Sequence, residues 1–178
     1  MAAQLMLEYQ AMTISVDSCK KPTWRFVLSH PAHFFSFGFG SGLFPVAPGT
    51  AGTLVAFPLY LYLSERLTDG AFIFVLIGSF ILGVWACGKT GKALGVADHG
   101  GMVWDEIVAF LLVLLFTPEG FFWYLLAFFL FRIFDITKPP PIRYFDRTWH
   151  GGFGVMFDDI LAAVYTLLSL ALVRYVLS

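Results

Sequence analysis

Charged side chains are scarce in this chain, and what is missing excludes several classes of protein. Asp, Glu, Lys and Arg make up 13% of its 178 residues, against roughly 25% in an ordinary soluble domain. With 58% hydrophobic residues and 21 phenylalanines, too little polar surface remains to coat a globule in water. From Phe26 to Ser64 there is no Asp, Glu, Lys or Arg. The formal net charge of −1 supplies no basic face for nucleic acid. The two cysteines, Cys19 and Cys87, lie far apart and fit no CxxC or zinc spacing, so neither a disulfide framework nor a metal knuckle is supported. Met1 to Arg25 lacks the basic-then-apolar order of a signal peptide and reads as an N-terminal cytoplasmic tail. No internal repeat is found, and no low-complexity segment beyond Pro139–Pro141.

What is present reads as an all-α, polytopic membrane bundle over residues 26–178, with about four to five transmembrane helices. A span needs roughly 20 mainly apolar residues. Spans are expected near 50–67, with Pro58 placed to kink it, then 71–88, 103–117, 121–137 and 155–176. Between Gly38 and Thr53 five glycines and two prolines break the helical pattern, predicting a re-entrant or cytoplasmic-side loop. A polar stretch, 89–101, and a loop, 142–154, are the other long connections. Basic residues collect at alternate connections: Lys20, Lys21 and Arg25, then Lys89 and Lys92, then Lys138, Arg143 and Arg147. Those connections are therefore expected on the cytoplasmic side.

That topology gathers distant polar groups at one depth. Asp98, Asp105, Glu106, Asp135, Lys138, Asp158 and Asp159 all fall at cytoplasmic ends. Carboxylates beside apolar runs are costly in a membrane and are usually kept for function. Ala109, Ala162 and Ala163 lie about a turn beyond the two acidic pairs, and small residues let helices approach closely. Converging carboxylates repel unless a cation lies between them, and hard oxygen donors suit magnesium; acids stabilised by a helix N-terminus are the simpler account of one pair alone. Arg132, Lys138 and Arg143 are candidate phosphate donors, although Arg132 and Asp135 are three apart and can pair with each other. Thr50 and Thr53 start a helix whose N-terminus favours an anion, but no Gly-Lys-Ser/Thr follows, so this is not a P-loop. His99 and His150 are each followed by Gly-Gly; a histidine here could shuttle a proton, but a lone loop histidine is more often just solvated.

Four blocks then carry a specific resemblance: 40–53 (GSGLFPVAPGTAGT), 98–106 (DHGGMVWDE), 131–139 (FRIFDITKP) and 146–159 (DRTWHGGFGVMFDD). In order and spacing they resemble the phosphatidylglycerophosphatase A family, over about Trp24 to the C-terminus. The resemblance implies a magnesium-dependent phosphomonoesterase of the bacterial inner membrane, multi-pass, with its site on the cytoplasmic side. Its substrate would be phosphatidylglycerophosphate, converted to phosphatidylglycerol, and its other partner the lipid bilayer. It implies Asp105, Glu106, Asp158 and Asp159 as metal or catalytic positions, with Arg132, Asp135 and Lys138 in the same site. Direct attack by water is the expected chemistry, with a covalent aspartyl-phosphate as its variant. An ion-coupled transporter is the rival reading, since broken helices with intramembrane carboxylates also describe transport sites. Nothing in the sequence specifies an oligomeric state.

Overall fold

The structure, a computed structural model, describes residues 22–177. The expected tail therefore falls mostly outside the described residues, with Cys19, Lys20 and Lys21.

Among the described residues all regular structure is helical: α1 (Trp24–Val27), α2 (Pro31–Ser36), a tight 3-10 segment (Gly38–Leu43), α3 (Pro48–Ser64), α4 (Asp69–Leu94), α5 (Trp104–Phe116), α6 (Phe121–Thr137), α7 (Ile142–Thr148) and α8 (Gly152–Leu177). Local chemistry sets the ends. The Thr68 hydroxyl accepts from Ala71 N–H at the start of α4, and Gly95, at φ 74°, closes it. Lys138, left-handed at φ 42°, ends α6 just before the proline triplet.

All five long helices expected from hydropathy are present, but their lengths differ. α4 and α8, of 26 residues each, are long and apolar enough to cross a membrane, at about 39 Å of rise. α3 and α6 have 17 residues and α5 has 13. At 1.5 Å per residue these reach roughly 25 and 20 Å, short of a hydrocarbon core of about 30 Å. α4 continues past Gly88 to Leu94, so the expected polar connection begins inside the helix. It can do so because Thr90 and Gly91 turn inward while Lys92 stays exposed. The expected loop 142–154 holds α7, and α3 runs on through Pro58.

The shortest long helix is the central one. From Trp104 to Leu114 nearly every α5 side chain is buried, the pattern of a helix enclosed on all sides. It packs on α8, α3, α4 and α6. Ala109, Ala162 and Ala163 are fully buried, as the close approach of α5 and α8 requires. Large apolar side chains instead cover the outside, among them Phe74, Ile81, Phe121, Phe129 and Leu168. α4 and α8 meet so closely at Gly152 that a Cβ there would collide with the backbone of Val84 and Gly88.

The glycine- and proline-rich region folds back on the bundle. His30 accepts from Ala32 N–H (3.0 Å) to start α2, and Phe39 and Gly40, at φ 60° and 99°, turn the chain. Ser36 carbonyl then accepts from Val103 N–H at 2.8 Å, tying this region to the start of α5. Substituting Gly152→Val is expected to destabilise the protein by at least about 1–3 kcal/mol through overpacking. Gly78→Ala, where a Cβ meets nothing within 4 Å, should be neutral or gain up to ~1 kcal/mol of helix propensity. Unfolding of both variants in detergent checks the contrast.

Candidate active site

The site is built from the N-terminal turns of α3, α5 and α8 and the C-terminal end of α6. Asp105 and Glu106 occupy the first turn of α5, where unpaired backbone N–H groups favour negative charge; Glu106 N–H donates to Asp105 Oδ1 at 3.1 Å. Asp158 and Asp159 are buried near the start of α8. Adjacent helical residues point about 100° apart, so this pair divides. Asp159 turns towards Asp105 and Glu106, and one carboxylate oxygen from each of the three lies within 4.8 Å of the others. Asp158 turns instead to Lys138, whose Nζ donates to its Oδ2. Of the four acids expected as metal or catalytic positions, three converge and the fourth, Asp158, holds a lysine.

Two buried carboxylate oxygens, Glu106 Oε2 and Asp159 Oδ2, have no hydrogen-bond partner. Buried acceptors are rarely left so, and an all-oxygen donor set of this kind fits a hard divalent cation such as Mg²⁺.

Arg132 balances the same cluster from α6. Its Nη1 lies 2.5 Å from Asp135 and 3.6 Å from Glu106, and 3.5 Å from Thr53 Oγ1; its buried Nε has no partner. Thr53 also donates to Gly49 carbonyl at 2.9 Å. A Cβ on Gly49 would run into Glu106 Oε1 and the Arg132 guanidinium, so glycine lets the first turn of α3 lie against the ionic cluster. That turn begins at Ala47, left-handed at φ 50°, with no side-chain cap on its amides. Thr50 sits on the same turn, half-buried.

Lys138 is held between Asp158 and Asp146, the latter at 2.6 Å. Burial works against its charge, but Asp158 and Asp146 outweigh that and raise its pKa above the ordinary lysine value. Asp146, on α7, was missed as a partner; its place in the fourth sequence block was the available signal. Asp98 adds negative charge near Lys138 from the α4–α5 connection.

Other expected residues lie differently. Arg143 is exposed and donates to Thr137 carbonyl at 3.2 Å, at the end of α6. His99 accepts from Gly101 N–H at 3.0 Å and shapes its own turn. His150 is exposed, 3.2 Å from Thr148 carbonyl. A second polar pair that the sequence did not single out, His33 Nδ1 and Thr90 Oγ1 at 2.9 Å, is buried between α2 and α4.

Arg132→Met would strand Glu106 and Asp135 without their cation. It is expected to cost about 3–5 kcal/mol, as breaking a buried ion pair does. Adding Glu106→Gln should return part of that loss, a coupling that a double-mutant cycle measures.

Comparison with known proteins identifies the family. A family model described as phosphatidylglycerophosphatase A matches residues 34–174. Phosphatidylglycerophosphatase A of Haemophilus influenzae is 44% identical over 155 residues, covering 86% of this chain and 95% of that protein. That of Escherichia coli is 44% identical over 141 residues, covering 79% and 81%. A Bacteroides thetaiotaomicron protein with the provisional name phosphatidylinositol-3-phosphatase is 40% identical over 147 residues, covering 79% and 91%. No solved structure matches. A family match over most of the chain and relatives of this identity show that it belongs to the phosphatidylglycerophosphatase A family.

Proposed function

We propose that this protein hydrolyses the terminal phosphate monoester of phosphatidylglycerophosphate, releasing phosphate and phosphatidylglycerol, with Mg²⁺ as its cofactor. The observation that carries the cofactor is the convergence of Asp105, Glu106 and Asp159 within 4.8 Å, with two of their oxygens unpartnered. Those three residues would hold the ion. Bound there, Mg²⁺ supplies Lewis-acid polarisation of the phosphoryl oxygens.

The chain's own groups do the rest. Arg132, beside Thr53, and the uncapped amides of α3 with Thr50 receive the phosphoryl oxygens. Asp135 fixes the Arg132 fork in place. Lys138, held by Asp158 and Asp146, stabilises charge on the transferring group. Asp158, outside the three-carboxylate set, orients the attacking water and takes its proton. The new P–O bond forms to the water oxygen as the bond to the glycerol oxygen breaks in line with it; the glycerol oxygen takes a proton from solvent, and Asp158 returns the one it accepted to solvent. Arg143 contributes through the end of α6 and the lipid head-group region rather than through the carboxylates.

The same reading places the protein in the bacterial inner membrane as a multi-pass bundle. The apolar outer surface of α3 and α6, including Leu54, Leu61, Phe129 and Ile133, supports burial of the shorter helices in lipid beside α4 and α8. The site end carries Arg25, Lys89, Lys92, Arg132, Lys138, Arg143 and Arg147, and the opposite end Arg66 and Arg174, which supports a cytoplasmic site. Collection of the charges at one end, and the phosphatase names of the relatives, disfavour transport.

In mixed micelles, purified protein should release phosphate from phosphatidylglycerophosphate with Mg²⁺ and stop when the ion is chelated. Asp105→Asn and Asp159→Asn, still folded, should each lose about 10²-fold or more in rate, the scale of losing one preorganised electrostatic group. No release from folded wild type would refute the phosphatase reading. Release unaffected by a chelator would refute the metal.

A further inference from the structure

An apolar groove of about 500 Å³ lies beside the first turns of α3, walled by Trp24, Phe44, Val46, Thr50, Ala51 and Leu54 among others, and among the described residues no charged side chain lines it. Trp24, Val46 and Leu54 are 57%, 72% and 51% exposed, so the groove opens outward from the bundle. Its volume falls in the range of ordinary small-molecule sites.

Position makes the groove more than a surface crease. With about 100° between successive helical residues, Gly49 and Thr53 share one face of α3, and Ala51 and Leu54 share another. The first face lies against Glu106 and Arg132. The second is the groove wall. Thr50 stands between them and lines the groove itself. A single turn of helix therefore separates an ionic site from an uncharged channel. A molecule filling both would carry an anionic head and a hydrocarbon tail on one backbone.

Resting on the phosphatase reading, we infer that this groove seats an acyl chain of the lipid substrate and so delivers its phosphate to Arg132. Burial of the chain supplies binding energy remote from the reacting bond, which can be spent on orienting the phosphate at the site. The head group alone, lacking that anchor, is the poorer substrate.

The test compares phosphatidylglycerophosphate carrying long acyl chains with the deacylated head group, each at saturating Mg²⁺, by kcat/KM for phosphate release. Leu54→Trp narrows the groove from an exposed position, and Val46→Trp does the same from the preceding loop if the first variant fails to fold. Ile77→Trp, on the exposed outer face of α4, controls for bulk at the lipid-facing surface. Either groove variant should lower the preference for the acylated substrate by roughly tenfold, the worth of about two buried methylenes, while the control keeps it. If both substrates fall together, or neither does, the groove is a lipid-facing crevice only and the inference is wrong. Wild type that hydrolyses the deacylated compound as well as the acylated one also overturns the inference, yet leaves the phosphatase reading standing. Wild type inert towards both removes that reading, and the groove's role with it.

Discussion

Crowded negative charge is the constraint on which the rest of this structure depends. Asp105, Glu106 and Asp159 bring carboxylate oxygens within 4.8 Å of one another in a buried setting. At an effective dielectric near 20, each like-charged pair at that separation costs on the order of 3–4 kcal/mol. Arg132 divides its charge between Glu106 and Asp135, and Lys138 is taken by Asp158 and Asp146. Among the described residues neither Asp105 nor Asp159 has a basic partner. A chain so poor in charge has spent much of it at one point, which a proposed divalent cation explains better than any structural role.

Helix geometry delivers that cluster. The short, enclosed α5 starts with its acids, and small residues at Ala109, Ala162 and Ala163 let α8 bring Asp159 alongside. Gly49 lets α3 close over the same groups. The bundle is thus polar at one end of its interior and apolar over its outside, the reverse of a soluble domain. A substrate with a charged head and a hydrocarbon tail meets both properties at the first turn of α3.

Much of this was legible in the sequence. Phe121–Thr137 forms the helix its hydropathy predicts, the Arg132–Asp135 pair follows from spacing alone, and the alternation of basic connections foretells which helix ends meet. Three features were not legible. The division of Asp158 from Asp159 depends on the rotation of α8, which a pair of adjacent letters does not reveal. The short helices from Trp24 to Ser36 were not expected, because they run into a 3-10 segment kinked at left-handed Phe39 and Gly40 and leave no period to read. The pairing of Lys138 with Asp146 crosses the proline triplet, and only the packing of α7 on α8 brings it about. Hydropathy fixes the long helices, whereas contacts of single polar residues decide their ends.

The central claim is that the carboxylate cluster is a cation site, and binding tests it apart from catalysis. Thermal unfolding of the detergent-purified protein should be followed as Mg²⁺ is titrated. A ligand held only by the native state stabilises it by RT ln(1 + [L]/Kd), about 2.7 kcal/mol at a hundredfold excess over Kd. The account predicts a saturable rise in unfolding temperature for wild type that Asp159→Asn abolishes. No rise in folded wild type, or an equal rise in the variant, would contradict it.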